Sequence, residues 1–310
     1  MTFGTAFRLF TVMALWASCY PLITIGLDLA PHIAFAAARA LLAGLGLLAV
    51  ALLLGRPIPR GGSAWLLIAL TGLGSTTLGF IGMFHAAEFV SPGLATVIAN
   101  SQPLIAVILG RVVLGERLGS IGIFGFLAGF AGIVAIAWPA LVTGTAPRFD
   151  LGISYILLAA TGVAIGNVAM KRLSGKVDAA MAMGLQFLVG AVPLMLLSLL
   201  TEDVRGMTWS GEFLALTAAL ALLGTALAYW LWFAALERTS LNRANAFAFL
   251  TPLIGLGIGA MLFAERLAWI QFVGVGAVLG GVVLVQLGTA KTLHKTSRGS
   301  TVSDRAQSPP

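Results

Sequence analysis

The chain has 310 residues, of which 59% are hydrophobic and only 9% charged, with a mean hydropathy of +1.01 and a formal net charge of +7. Soluble domains carry about 25% charged residues, and no soluble core of this size absorbs so much apolar surface, which excludes that class. The excess of Lys and Arg lies in short stretches between apolar runs and in the C-terminal segment; it reads as an orientation signal in a lipid bilayer and not as a face for nucleic acid.

Taken in order, the apolar runs predict membrane-spanning helices near residues 8–27, 32–54, 64–86, 92–114, 119–137, 151–171, 178–199, 211–234, 241–263 and 268–289. Crossing a hydrocarbon layer about 30 Å thick takes about 20 apolar residues, and only helices or closed barrels satisfy their backbone there. These runs are too long for barrel strands, so helices are expected. Ala17-Ser18-Cys19 resembles a lipoprotein processing site, but Trp16 stands where Leu is usual and Arg8 alone makes a poor basic region, so no cleaved signal is expected. The stretch from Lys291 to Pro310 is rich in Ser, Thr, Lys and Arg and predicts a disordered cytoplasmic tail.

With the N-terminus inside, fourteen of the Lys and Arg residues fall on the inner side and three, Arg148, Arg205 and Arg266, on the outer; Arg39 lies within the second span. This bias predicts both termini in the cytoplasm of a multi-pass inner-membrane protein. Phe84 to Glu88, Pro103-Leu104-Ile105 and Glu116-Arg117-Leu118 recur as Phe233 to Glu237, Pro252-Leu253-Ile254 and Glu265-Arg266-Leu267 at a constant offset of 149 (252 − 103 = 265 − 116 = 149). The same offset carries Thr76 onto Thr225, Gly125 onto Gly274 and Gly132 onto Gly281. Five spans per half place the copies in opposite orientations, an inverted repeat suited to alternating access. The expected division is a first five-helix repeat over 1–140, a second over 148–290 and the tail over 291–310.

Polar residues inside spans carry the candidate chemistry. Pro103 and Pro252 fall near the middle of spans four and nine, where each removes a backbone donor; a hinge or gate is predicted, with a packing kink as the competing reading. Asn100 and Gln102 precede Pro103, Asn245 precedes Pro252, and Asn167 and Gln186 lie in spans six and seven. Such amides contact a polar solute or hydrogen-bond between helices, with equal weight on either. Trp16 and Tyr20, four apart beside Pro21, and Tyr229 and Trp232 of span eight form a possible aromatic wall. Trp65, Trp138, Trp209 and Trp269 at span ends suit an interfacial belt, and Trp230 suits the lipid face equally well.

Arg39 is a possible charge partner for a solute carboxylate, against pairing with backbone carbonyls. His85, near one end of span three, is placed either to carry a proton or to sit satisfied at the interface. Asp28, Glu88, Glu116, Glu237 and Glu265 all lie near span ends, so no buried acid marks a coupling ion. Gly125 and Gly129, and Gly276 and Gly280, predict close helix contact in the scaffold or in a homodimer; a monomer stays open. Three histidines without an HExxH or Gly-x-Ser-x-Gly pattern leave an intramembrane enzyme, like a passive channel, as the alternative to a transporter, and no cofactor is expected.

Trp16-Ala17-Ser18, Arg39 and the doubled Pro and Glu-Arg-Leu pattern, each copy followed by a glycine-rich span, resemble the drug/metabolite transporter superfamily and its EamA-type ten-helix members over residues 8–289. The resemblance implies a cytoplasmic-membrane permease exporting amino acids or related metabolites, with a central cavity lined partly by spans one, three, four, six, eight and nine.

Overall fold

The computed structural model describes residues 1–89, 99–143, 149–204, 207–254 and 268–305, with the backbone alone at 20–21, 24, 87–88, 137, 139–141, 143, 149 and 289–305. The Glu265-Arg266-Leu267 copy, Arg148, Arg205 and the side chain of Tyr20 lie outside these residues. All regular structure among the described residues is helical.

Helix α1 (Phe3–Leu27) starts where the Thr2 side chain accepts from the Thr5 amide and leads to α2 (His32–Leu53). The third pass is α3 (Gly62–Thr71), a π-helical stretch Gly72–Leu78 and α4 (Gly79–Phe89). Next come α5 (Gln102–Leu114) and α6 (Ser120–Thr143). The second half repeats the order with α7 (Phe149–Leu173), α8 (Ala179–Thr201), α9 (Gly211–Ala221), a π stretch Leu222–Leu227, α10 (Ala228–Leu236), α11 (Leu241–Ala248) and α12 (Trp269–Arg305). The result is an all-α polytopic bundle of ten passes in two inverted five-helix repeats. Six helices among the described residues are long and apolar enough to cross a membrane, and Phe3–Cys19, Gln102–Leu114 and Ser120–Ile136 are shorter apolar helices. Helix α12 runs on past position 290, where composition predicts the bundle to end; each added residue gains a hydrogen bond and no proline interrupts it before Arg305.

The inversion is visible in side-by-side glycines. A Cβ at Gly125 would stand 2.7 Å from the Gly281 carbonyl oxygen, and one at Gly132 would stand 2.7 Å from that of Gly274. Positions 274 and 281 are the repeat mates of 125 and 132, so α6 and α12 cross as antiparallel equivalents about a local two-fold axis. Gly276 and Gly280 do not pack within the chain, since a Cβ at either meets nothing within 4 Å, which leaves the homodimer half of the expectation untouched. Two residues along a helix turn about 200°, so Gly276 leaves the face that Gly274 presents to α6.

Antiparallel α2 and α8 are joined at both ends by charge. Glu202, after α8, accepts from the Ile33 and Ala34 amides at 2.7 and 2.8 Å and so caps the start of α2, which has no side-chain cap of its own. At the other end Arg56 reaches Asp178, the N-cap of α8, at 3.5 Å. Glu116 does the same service for α11, accepting from the Leu241 and Asn242 amides at 2.7 and 3.0 Å. A carboxylate at a helix start complements orphan N–H groups and the positive end of the dipole.

Large apolar side chains such as Phe3, Leu53, Val112 and Leu200 point outward, as a lipid-facing surface requires. Trp65, Trp138, Trp209 and Trp269 are exposed near helix ends, and Trp230 is exposed on the outer side of α10.

Gly125→Val or Gly132→Val should lower the thermal midpoint of the purified protein, with an overpacking cost of about 1–3 kcal/mol. Gly276→Ala and Gly280→Ala should leave the same melting curve unchanged; a loss there as large as at Gly125 would refute the assignment of the packed face.

Candidate functional site

Both third and eighth passes loosen into a π stretch at repeat-equivalent positions. The Gly79 amide reaches back five residues to the Gly74 carbonyl, and the Ala228 amide five residues to Leu223. Each wide turn holds a repeat-matched threonine inward, Thr76 and Thr225, both wholly buried, and the first adds Thr77, whose Oγ1 donates to the Gly190 carbonyl at 2.9 Å. Thr76 Oγ1 donates to Gln186 Oε1 at 2.9 Å. Arg39 Nε donates to Thr225 Oγ1 at 2.6 Å, and Thr225 Oγ1 donates to the Leu220 carbonyl at 2.9 Å. Arg39 and Gln186 occupy matching places in α2 and α8, seven residues after the first (39 − 32 = 186 − 179 = 7). The repeat thus builds the same brace twice across the two halves, once with a charge and once without.

Arg39 is buried, and its surroundings are neutral. Nη2 donates to Cys19 Sγ at 3.6 Å, Cζ lies 4.9 Å from the Phe80 ring centroid, and Nη1 has no partner. Of the two readings of Arg39, pairing with backbone carbonyls is not seen among the described residues. The thiol instead bonds to the Leu15 and Gly224 carbonyls at 3.3 and 3.8 Å, and the missing side chain at Gly224 makes room for it: a Cβ there would collide with Sγ.

One helical turn beyond Thr225 on the same face stand Tyr229 and then Trp232. The Trp16 ring lies 5.5 Å from each of theirs, and Phe187 lies 5.1 Å from Tyr229. Trp232 Nε1 donates to Asn167 Oδ1 at 3.1 Å, which fixes the indole and satisfies a buried amide. Trp16, Tyr229, Trp232 and Asn167 are therefore brought together from four of the passes α1, α7, α8 and α10, counting Phe187.

The prolines lie at helix breaks, which differs from the expected kink in a continuous span. Ser101 is the N-cap of α5 and Pro103 sits in its first turn, where a missing N–H costs nothing. Helix α11 ends at Ala248, and helix resumes at Leu250, again with Pro252 in the first turn. Beside Pro252, Thr251 Oγ1 donates to Met13 Sδ at 3.3 Å, one turn before Trp16. Asn245 is wholly buried with both amide atoms unpartnered, and Gln102 leaves Nε2 unpartnered; Asn100 is buried nearby in sequence. No described contact links these three amides to the aromatic group. His85 belongs to a separate cluster: its Nδ1 lies 3.1 Å from the Ile81 carbonyl, its ring stacks on Tyr155 at 5.0 Å, and His32 lies 6.5 Å away.

Sequence reasoning missed Phe80, Phe187, Glu202 and the two π stretches. The Thr76–Thr225 match was a usable signal for the stretches, since a buried threonine repeated beside glycines marks a place where helix geometry is special. Among the described residues no group of three or more His, Cys, Asp or Glu side chains could hold a metal.

An apolar bundle of two inverted repeats with a partly polar, aromatic centre defines a multi-pass membrane transporter. The EamA-like transporter family model matches residues 5–138 and 150–287, and the chain belongs to that family. It is 30% identical over 289 residues to the uncharacterized inner membrane transporter YedA of Escherichia coli, covering 92% of this chain and 90% of that one. It is 34% identical over 260 residues to a chloroplastic WAT1-related protein of Arabidopsis thaliana, covering 81% of this chain and 61% of the plant protein, so it spans about three-fifths of that relative's length. A crystal structure superposes with a TM-score of 0.78 at 21% identity over 92% of this chain and 98% of the other, a likeness of fold.

Trp232→Phe removes the donor to Asn167 and strands a buried amide oxygen, a loss of about 1–3 kcal/mol. Denaturation of the purified protein should show it, and Trp232→Phe with Asn167→Leu together should recover part of the loss; strict additivity would refute the pairing.

Proposed function

We propose that this chain is a secondary carrier that exports small organic metabolites, of about amino-acid size, across the cytoplasmic membrane by alternating access, with both termini in the cytoplasm. The supporting observation is the pair of repeat-equivalent helix interruptions around Pro103 and Pro252, one in each inverted half. A broken helix frees backbone groups at depth and bends without breaking further hydrogen bonds, so exchanging the shapes of the two halves turns an outward cavity into an inward one. In this reading Asn100, Gln102, Asn245 and Tyr229 contact the solute, Trp16 with Tyr20 forms the wall, and Asn167 holds Trp232 in place. The inner-side excess of Lys and Arg supports the orientation.

Counterflow in proteoliposomes should be saturable, external solute accelerating the exit of labelled internal solute. Pro103→Ala and Pro252→Ala should slow exchange roughly tenfold, equivalent to about 1.4 kcal/mol on the barrier, while the melting temperature stays near that of the parent. Full flux in both variants would count against the hinges. Cysteines placed at Glu116 and Glu265 should react with impermeant reagents from opposite faces, and labelling from one face would overturn the orientation.

A further inference from the structure

The two repeats differ in charge at the place where they are otherwise most alike. Gln186 braces Thr76 with a neutral amide, so bracing a π stretch does not need the guanidinium that Arg39 brings to Thr225. The charge is surplus to the structural task, and it is costly: Arg39 is 4% exposed, in a segment apolar enough to cross a membrane. Its partners are a hydroxyl, a thiol and a phenyl ring, and Nη1 has none. Buried charges are ordinarily paired, and here no described carboxylate is the partner.

We propose that Arg39 anchors the anionic end of the transported solute, and that the site selects organic anions, a carboxylate or similar oxyanion joined to a flat apolar body, over cations and zwitterions. This rests on the carrier reading above. With Nε committed to Thr225, the remaining edge of the fork is Nη1 with Nη2, which now faces only a weak sulfur acceptor. That edge matches the two oxygens of a carboxylate. Tyr229 lies one turn, about 6 Å, along the same helix from Thr225, and the Trp16, Tyr229 and Trp232 rings around it suit a flat apolar body. Carboxylates that would hold an ammonium are absent from this part of the described residues: Glu116, Asp178 and Glu202 are engaged at helix starts. Nη1 is fully buried, so the solute reaches it only as the helices around it part during the cycle.

Three probes share a phenylethyl unit and differ in the charged groups on it: 3-phenylpropanoate, 2-phenylethylamine and phenylalanine. Binding to the full chain in nanodiscs, followed by tryptophan fluorescence, should favour the acid over the other two by about tenfold or more, that is about 1.4 kcal/mol. Arg39→Gln copies the neutral brace of Gln186, and its melting curve should confirm that it folds. That variant should lose the preference by weakening the acid alone, while Arg39→Lys should keep part of it. Equal affinity for the three probes, no binding by any of them, preference for the amine, or an acid preference that survives Arg39→Gln would each overturn the proposal. Counterflow judges the carrier reading separately: saturable exchange of the amine by the wild type would keep the carrier and remove this role for Arg39.

Discussion

Within hydrocarbon, a peptide group that loses its helical partner has to find another inside the protein, and four places where the helices change geometry are related between the repeats among the described residues. Two are π stretches and two are proline-bearing breaks. The rest of the architecture follows from how these interruptions are accommodated. Pro103 and Pro252 fall in first turns, where no donor is needed, whereas Pro193 lies inside α8. Glycines such as Gly72 and Gly74 bring α7 and α8 close against one π stretch, and polar side chains from the opposite half brace both threonines. Among the described residues both π stretches thereby lie at the contact between the repeats.

Helix number, approximate boundaries and the repeat were legible because lipid imposes a length and a polarity on every pass, and because an offset of 149 survives in residues that geometry constrains. Legibility stopped where side chains from distant helices meet. The pattern placed Arg39 inside a span without revealing that its partner is Thr225, 186 residues away. Asn167 and Trp232 were both singled out, yet nothing in their spacing announced that they bond to each other. Gly276 and Gly280 have the same spacing as Gly125 and Gly129 but lie on a face that packs against nothing within the chain. His85 was singled out as a site residue and falls in a different cluster, since a helix carries side chains to several neighbours and spacing along the chain does not say which.

Likeness to the EamA-like family and to a solved fold establishes the scaffold and the transporter class, and relatives named only as transporters take the matter no further. What distinguishes this chain has to be sought in departures from its own symmetry. A symmetric carrier would have two identical braces. Here one brace is cationic, and the aromatic group adjoins that brace by way of the Thr225–Tyr229 turn, so the centre of the bundle is polarised along one helix.

The cross-half braces also bear on how the protein is made. Helices leave the ribosome in order, and Arg39 enters the bilayer well before the passes holding Thr225 have been synthesised. The α2 start likewise waits for Glu202. The first five passes by themselves therefore lack both the acceptor for Arg39 and the cap of α2, which only the second half supplies.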